Sequence, residues 1–294
     1  MAKTREFLLV WDSTMANPNG DMLNENRPRQ DEETGKFEVS DVRIKRFIRE
    51  DWINSSVDVL VQADMDDKGK LESCASRVKK LCTANKIKED DVKGVKEFLL
   101  NQFIDIRLFG AVITKPKLDI MGPLQVAWSQ SIHEGTVKFL QGNVAYASGE
   151  NKSQTSIWSK YITPYALFKT YAVYNDLAAN RQQIDVTEED IESFKQHLIN
   201  GLKNYRSTSK NQMPRLLVEV IYIEQYIDGE LNYIDFVKEV EDVELREIAQ
   251  VECDLTKLGT YYETKKDVID KIVIYKHPSI KVTGLRDDYE VISI

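Results

Sequence analysis

Runs of apolar residues and their spacing divide this chain into strands and helices. Phe7-Leu8-Leu9-Val10-Trp11 is apolar without interruption, which is typical of a strand buried on both faces and predicts a central strand. Apolar residues repeat every three or four positions over 41–53 and 188–202, so both stretches are predicted to be amphipathic helices. Ser40-Asp41 supplies a cap for the first helix, and Thr187-Glu188-Glu189-Asp190 resembles a capping box for the second.

Three further strands complete the predicted unit. The segment 122–132 alternates Leu124, Val126 and Trp128 with smaller or polar residues, which predicts a strand with one buried face. In chain order the main elements are strand 6–12, helix 41–53, strands 104–114 and 122–132, helix 188–202 and strand 216–227. This β-α-β-β-α-β order predicts an α+β fold of the ferredoxin-like (RRM-like) type, the topology of the RNA-recognition sheet.

The intervening segments differ in character. Residues 13–40 are rich in turn formers and show no period, which predicts a long loop that is either functional or disordered. Residues 54–103 are helical and charged, as in an inserted helical elaboration. Residues 134–160 and 203–215 are polar and are predicted to be flexible loops, with a further strand candidate over 161–174. Residues 228–294 form a C-terminal extension.

Composition excludes several classes of protein. The 294 residues carry 40 Lys+Arg and 48 Asp+Glu, a net charge of −8, with 42% hydrophobic residues, so collagen-like and disordered chains are excluded. The longest apolar run is far shorter than the ~20 residues of a membrane helix, and we expect no membrane partner. Three scattered cysteines suit a reducing compartment, and the expected location is the cytoplasm.

The sign of the charge is segregated along the chain. Residues 151–175 and 198–218 contain lysines or arginines and no acid, whereas 235–254 holds eight acids and two bases, a net charge of 2 − 8 = −6. The acidic segment is interpreted as a helix. An electrostatic footprint for RNA is therefore compatible with the acidic total.

The chain lacks the common signatures of nucleotide hydrolysis and metalloprotease chemistry. It has no G-x-x-x-x-G-K-[ST], H-E-x-x-H or C-x-x-C sequence. Its histidines are scattered, and Cys74 and Cys82 are spaced as on one buried helical stripe. Nucleotide hydrolysis and metalloprotease chemistry therefore lose most of their support, and we expect no metal site and no cofactor.

Residues 17–49 are the most informative part of the sequence. A Gly- and Asn-rich loop that leaves a central strand offers N–H groups to an anion, and the helix start at Ser40 adds its dipole. The nearby bases include Arg27, Arg29 and Arg43, which could position a sugar–phosphate backbone. A solvated helix face explains the same charges, and both interpretations stay open. The loop 203–215 contains basic, amide and hydroxyl side chains and one tyrosine. This composition favours a groove for single-stranded nucleic acid over an ordinary loop.

Five ordered blocks of sequence resemble a known family. They are Asn17-Pro-Asn-Gly-Asp, Asn26-Arg-Pro-Arg-Gln-Asp, Val39-Ser-Asp-Val-Arg-Ile-Lys-Arg-Phe-Ile-Arg, Asp105-Ile-Arg-Leu-Phe-Gly-Ala-Val with Gly122-Pro-Leu-Gln-Val-Ala-Trp-Ser-Gln-Ser-Ile-His, and Arg206-Ser-Thr-Ser-Lys-Asn-Gln-Met-Pro-Arg-Leu-Leu. Together they resemble the CRISPR-associated Cascade backbone family of RAMP proteins, with the type I-B branch as the closest. The resemblance runs from about residue 6 to residue 225.

This resemblance implies a non-catalytic RNA-binding subunit in antiviral defence. It would polymerise as a helical filament along the CRISPR RNA (crRNA) and present the guide to a target DNA strand. Its implied partners are further copies of itself, the subunit that caps the crRNA 5′ handle, the large and small Cascade subunits and the crRNA-processing endonuclease. The implied shape is a right hand: a palm of 1–53, 104–133 and 161–227, fingers of 54–103, and a thumb formed by one of the two flexible loops.

The resemblance also implies guide-contacting positions in the first loop, the first helix and the late loop. The adjacent pair Lys45-Arg46 matches the family pattern most widely. The full set is Asn17, Asn19, Gly20, Arg27, Arg29, Ser40, Arg43, Lys45, Arg46, Arg49, Arg206, Ser207, Lys210, Asn211 and Gln212.

Two rival functions remain. Backbone relatives in type III complexes cleave bound target RNA with an aspartate from the loop after the first strand, and Asp31 lies in the corresponding loop here. Such a ribonuclease needs a second positioned group, which the sequence does not identify. The other rival is an interaction scaffold that binds no nucleic acid.

Overall fold

The computed structural model describes residues 1–65, 69–147 and 155–294, and within them strands outnumber helices. The strands are β1 (Arg5–Ala16), β2 (Gly20–Asp21), β3 (Arg27–Pro28), β4 (Lys36–Val39), β5 (Gly110–Ile113), β6 (Leu118–Met121), β7 (Leu124–Val126), β8 (Ser129–Glu134), β9 (Lys138–Ala147), β10 (Thr155–Tyr174), β11 (Gln212–Tyr222), β12 (Asp235–Lys238), β13 (Val251–Asp254), β14 (Ile269–Lys276), β15 (Lys281–Thr283) and β16 (Glu290–Ser293). The helices are α1 (Asp41–Asn54), α2 (Cys74–Ala84), α3 (Val92–Gln102), α4 (Ile104–Phe109), α5 (Asp176–Gln182), α6 (Glu188–Asn204) and α7 (Thr256–Thr264). The fold is mixed α and β.

One large sheet organises these elements. Its strand order is β16-β14-β11-β1-β10-β8-β4, and β7 and β9 also pair with β10. β1 is antiparallel to both of its neighbours, with Leu8 opposite Tyr171 of β10 and Val218 of β11. The predicted central strand is thus confirmed, and it is longer than its apolar run.

The apolar run of β1 separates two hydrophobic cores. Phe7, Leu9 and Trp11 pack with α1 and α6, while Leu8 and Val10 pack with β11 and the C-terminal segment 231–289. Because successive side chains of a strand point to opposite faces, an unbroken apolar run requires cover on both sides of the sheet.

The predicted helices at 41–53 and 188–202 are confirmed with their caps. The Ser40 hydroxyl accepts from the Arg43 N–H, and Thr187 and Asp190 form a reciprocal capping box. The two helices cross closely at Gly201, where a Cβ would lie 2.4 Å from the Phe47 carbonyl oxygen.

The predicted strand over 104–114 is wrong in its first half, and its second half, β5, pairs with β6 in a separate two-stranded sheet instead of joining the large sheet. Ile104–Phe109 forms α4, and β5 begins at Gly110, whose φ is 72°. A Cβ at Gly110 would lie 2.0 Å from the Ile120 carbonyl oxygen of β6, so only glycine fits this approach. A short apolar run has no period that separates strand from helix, which explains the error.

The predicted strand over 122–132 is two strands separated by a bulge. Val126 pairs with Ala172 of β10, and Ser131 pairs with Phe168 of β10. The first residues of these two pairs are five positions apart in sequence, whereas their partners on β10 are four positions apart, so the segment contains one extra residue. The extra residue reverses the inside–outside pattern. Leu124 and Val126 are buried as predicted, but Trp128 is 53% exposed.

Several loops and boundaries also differ from prediction. Residues 13–40 contain the end of β1 and the short strands β2, β3 and β4, and 134–160 forms the hairpin of β9 and β10, apart from 148–154, which lie outside the described residues. β11 ends at Tyr222 rather than at 227.

Cys74 is exposed whereas Cys82 is buried, so the two do not share a buried stripe.

The acidic segment 235–254 is not the helix interpreted from its sequence. It contains β12, two short 3₁₀ turns at Asp242–Glu244 and Ile248–Gln250, and β13. The Asp242 carboxylate accepts from the Glu134 N–H at 3.1 Å and pairs with Lys238, so it holds this segment against β8. The extension then adds β14 and β16 to the main sheet.

Candidate nucleic-acid interface

Three segments that are far apart in sequence meet at the end of β1. The Asn17 N–H donates to the Ser209 carbonyl at 3.0 Å, and the Thr14 N–H donates to the Asn211 carbonyl at 3.0 Å. Ser40 donates its hydroxyl to the Asn19 side-chain oxygen at 3.3 Å. These bonds bring the first loop, the start of α1 and the loop before β11 to one corner of the sheet.

This corner forms an open cavity of about 490 Å³. Four arginines line it, together with Trp128 and two valines. The lining residues are Asn19, Gly20, Arg29, Ser40, Val42, Arg43, Arg46, Arg49, Val61 and Trp128. Seven of the fifteen predicted contact residues line it: Asn19, Gly20, Arg29, Ser40, Arg43, Arg46 and Arg49.

Arg43 differs from the other arginines of the cavity in its hydrogen bonding. Its guanidinium carbon lies 4.3 Å from the ring centroid of Phe47 and 4.7 Å from that of Tyr205. Its Nε and Nη2 atoms are buried and have no hydrogen-bond partner within the described part of the chain. Burial lowers the pKa of the Arg43 side chain, but an arginine remains charged at neutral pH. A fixed, charged group with unused donors is suited to an anionic ligand.

The other three arginines each have an acidic partner. Arg29 is 3.4 Å from Asp21, and Arg46 pairs with Glu50 one helical turn away. Arg49 donates to Asp105 at 2.8 Å, and the buried Asp105 carboxylate also accepts from the N–H groups of Leu60 and Val61. Arg49 therefore contributes to the packing of the 58–61 loop as well as to the cavity wall.

Lys210 brings the late loop to the same corner. Its Nζ donates to the Asn17 carbonyl, and burial together with the charge of Arg43 lowers the pKa of Lys210 to about 8. Gln212 donates to the Tyr205 carbonyl at 2.7 Å, while its side-chain oxygen is buried and has no partner in the described residues.

The remaining members of the late loop stabilise its conformation. Arg206 donates to the Asn211 side-chain oxygen at 2.6 Å, and Asn211 donates to the Thr14 carbonyl at 3.0 Å. Ser207 and Lys210 form a two-way backbone bridge. Asn17, beneath the cavity, donates its side-chain amide to the Asn26 carbonyl at 2.7 Å.

Eight of the fifteen predicted residues do not line the cavity, and Arg27 and Lys45 are the two of these that are neither in the late loop nor at Asn17. Arg27 lies 4.5 Å from the centroid of the Tyr161 ring on β10 and donates to its hydroxyl at 3.1 Å. Lys45 pairs with Asp41 at 2.9 Å and lies 5.6 Å from the Phe109 ring centroid. Their part in any guide contact stays a prediction.

The site also includes four residues that are absent from the predicted contact set. Trp128, Val42 and Val61 line the cavity, and Tyr205 packs against Arg43. The alternating pattern placed Trp128 inside, and nothing in the sequence marks the bulge that turns it outward. Tyr205 had a usable signal, because it is the aromatic residue of the acid-free segment 203–215.

The comparison with known families identifies the chain. A model of the family described as "CRISPR-associated protein Cas7" matches residues 3–256. The chain belongs to this family. The resemblance drawn from five sequence blocks is thereby confirmed at the level of the Cascade backbone family.

A curated relative and solved structures agree with membership of the Cas7 family. The CRISPR-associated protein Cas7 of Haloferax volcanii is 25% identical over 295 residues, covering 91% of this chain and 85% of the relative. A chain of a structure titled "CRISPR RNA-guided surveillance complex, pre-nicking" matches with a TM-score of 0.63 at 14% identity, covering 99% of this chain and 96% of that one. A chain of a structure titled "CRISPR RNA-guided surveillance complex" matches with a TM-score of 0.55 at 14% sequence identity. This match covers 96% of the present chain and 95% of that one. These two matches concern the fold.

Asp31, the aspartate of the rival ribonuclease hypothesis, is not among the residues that line the Arg43 cavity of this Cas7-family chain. Its carboxylate accepts from the Thr34 hydroxyl at 2.7 Å and from the Glu33 N–H at 3.0 Å, and these bonds lower the pKa of Asp31. Within the described residues no group of three or more His, Cys, Asp or Glu side chains is placed to hold a metal ion. The helices of those residues include none that is long and apolar enough to cross a membrane.

Proposed function

We propose that this chain is a crRNA-binding backbone subunit of a type I Cascade effector complex, with I-B as the favoured subtype. One observation carries the proposal: the corner cavity holds a charged arginine, Arg43, whose buried Nε and Nη2 donors have no partner in the described residues. Membership of the Cas7 family supports the same function.

The cavity suits a sugar–phosphate backbone better than a neutral ligand. Arg43 packs against two aromatic rings that also contact each other, so little side-chain entropy remains to be lost when it donates to a phosphate. The α1 N-terminus and the Asn19 and Gly20 loop add polar groups at the same wall. Such contacts position the strand without reading its sequence, which suits a guide whose bases must pair with target DNA.

The proposed assembly follows from the same role. Copies of this chain would follow one another along the crRNA, together with the 5′-handle cap subunit, the large and small subunits and the processing endonuclease, in the cytoplasm. The order β11-β1-β10-β8, with α1 and α6 on one face, supports a ferredoxin-like palm. The segment with α2 and α3 would form the fingers, and the β9–β10 hairpin is favoured as the thumb.

Arg43→Gln is the sharpest test. We expect single-stranded RNA to bind about ten- to a hundredfold more weakly, because charge-assisted bonds of about 1.5–3 kcal/mol are lost. The slope of log K against log salt should become shallower by about 0.7 for one phosphate contact. Arg43→Lys should recover part of the affinity because it keeps the charge but not the planar fork. Titration of fluorescent RNA at several salt concentrations measures both quantities.

Arg181→Gln is the matched control. Arg181 is an exposed arginine in the last turn of α5, which follows β10 at the other end of the sheet. Its replacement should leave affinity and salt slope unchanged. The proposal is wrong if Arg43→Gln, with an unchanged thermal unfolding midpoint, binds RNA as the original chain does. It is also wrong if the purified protein neither carries nor binds RNA.

The non-catalytic part of the proposal has its own test. The assembled complex is incubated with RNA complementary to the guide and with magnesium. We expect the RNA to remain intact. Cuts at regular intervals that disappear in Asp31→Ala would instead establish the ribonuclease.

A further inference from the structure

Trp128 presents an exposed indole ring at the wall of an arginine-lined cavity. Its side chain is 53% exposed, while Trp11 and Trp52 are completely buried. Single exposed aromatic residues are common and need no function by themselves. Here the ring lines the same cavity as Arg43, whose buried donors lack a partner in residues 1–65, 69–147 and 155–294 and so point independently to a ligand.

Backbone pairing on both sides of Trp128 fixes the position of this ring. Val39 pairs with Ser129 across β4 and β8, so Trp128 stands next to Ser40, the N-cap of α1. The Ala127 N–H donates to the Tyr171 carbonyl at 2.8 Å and holds the chain to β10 just before the ring. Bulges of this kind re-aim a side chain at functional sites.

We propose that Trp128 is a stacking platform for one nucleobase of the strand whose phosphate is bound by Arg43. The inference rests on the proposed function and adds a base contact to its phosphate contacts. An indole face and an arginine within one cavity match the two parts of a nucleotide, a flat apolar base and an anion. Val42 and Val61, which are 67% and 44% exposed, supply apolar surface beside the ring.

Stacking on Trp128 is compatible with any guide sequence. Every base has a π-face, so an aromatic platform holds a base without selecting its identity. A base on Trp128 would be separated from at least one of its neighbours in the strand. The expected consequence is a local break in base stacking once per bound subunit.

The test separates the base contact from the phosphate contact. The probes are an oligouridylate of about ten nucleotides and a chain of abasic ribose phosphates of equal length. For Trp128→Ala we expect roughly 5- to 150-fold weaker binding of the oligouridylate and no change for the abasic chain, at an unchanged salt slope. Trp128→Phe should retain most of the affinity, and the quenching of indole emission by oligouridylate should be smaller in that variant.

Tyr233→Ala is the control for loss of an exposed aromatic side chain. Tyr233 is 68% exposed in the C-terminal segment, and its replacement should affect neither probe. The inference fails if Trp128→Ala binds oligouridylate normally, or if it loses affinity equally for both probes. In either case a normal loss with Arg43→Gln would leave the proposed function standing. If Arg43→Gln has no effect, the proposed function itself fails.

Discussion

Lys210 shows how one residue couples the late loop to the charge of the corner. It holds the loop to β1 through the Asn17 carbonyl, and burial beside Arg43 brings its pKa to about 8. A lysine with this pKa is charged at neutral pH and loses its proton under mildly alkaline conditions. A bound phosphate favours the charged form and would raise the pKa again.

RNA affinity should therefore depend on pH through Lys210. As the pH rises from 7 to 9 the free protein loses this proton, so binding must include its uptake and becomes weaker. The logarithm of the association constant should fall by at most one per pH unit, the limit for a single proton. Fluorescence titrations at constant ionic strength measure the change.

Lys210→Arg provides the control for this pH dependence. Arginine keeps its charge throughout the range, so its affinity should be nearly constant between pH 7 and 9. Equal pH dependence in the two proteins would show that Lys210 is not the titrating group.

At the scale of elements, the packing of α1 against α6 determines where Arg43 stands. Arg43 and Phe47 lie on α1, and Tyr205 follows the end of α6. The two helices approach most closely at Gly201, where any side chain would meet the Phe47 backbone. The arginine and its two rings are therefore fixed by the contact between these helices.

Gly201→Ala should destabilise the protein and weaken RNA binding together. The added Cβ would lie 2.4 Å from a backbone oxygen, so the helices must separate. Overpacking of this kind typically costs about 1–3 kcal/mol of the free energy of unfolding. Urea denaturation measures the loss.

Gly259→Ala is the matched control within α7. Its nearest neighbour would be the flexible Arg286 side chain, at 3.3 Å. A helical glycine with such a neighbour should become neutral or up to about 1 kcal/mol more stable on replacement by alanine. Destabilisation by both variants to the same extent would contradict the close approach at Gly201.

The elements that sequence predicts best are those whose signals are local. Ser40 and Thr187 begin their helices as predicted, because a cap acts on the next three residues. The unbroken run Phe7 to Trp11 predicts a strand covered on both faces. The sequence does not predict the exposure of Trp128, because the bulge depends on partner strands that the local sequence does not specify. It predicts a strand at Ile104–Phe109 because a short apolar run has no period that separates strand from helix.

The candidate site was predictable in part for the same reason. Arg29, Arg43 and Arg46 are close to one another in sequence, and all three line the cavity. Which of them lacks an acidic partner depends on tertiary contacts. Asp105, for example, reaches Arg49 from another part of the chain.

At the scale of the whole molecule, the two ends of the central strand differ in whether the buried charged side chains have partners. At the start of β1, the buried Glu219 carboxylate accepts from Arg5 at 3.0 Å and from Lys195 at 2.7 Å. At the far end, the Nε and Nη2 atoms of Arg43 have no hydrogen-bond partner among the residues that the structure describes. Buried charges that are paired stabilise the fold but are not free for a ligand. The electrostatics therefore favour RNA at the end of β1 near residues 17–20, despite the acidic total charge.

The C-terminal segment is an integral part of this molecule rather than an appendage. Leu8 and Val10 of β1 pack with its residues Leu231 and Leu245 on the face opposite the helices. Leu245 is completely buried, whereas Val243, two residues earlier, is 42% exposed. If the segment belongs to the same cooperative folding unit as the sheet, truncation of the Leu245 side chain should destabilise the whole sheet.

Leu245→Ala should therefore lower the free energy of global unfolding by about 2–5 kcal/mol, the usual range for a buried leucine. Val243→Ala should change it by less than about 0.5 kcal/mol, because an exposed side chain loses little packing. Far-UV circular dichroism and the fluorescence of Trp11 and Trp52, which lie in the opposite core, should report one common transition. A separate early transition in Leu245→Ala that leaves this fluorescence unchanged would show instead that the segment unfolds independently of the sheet.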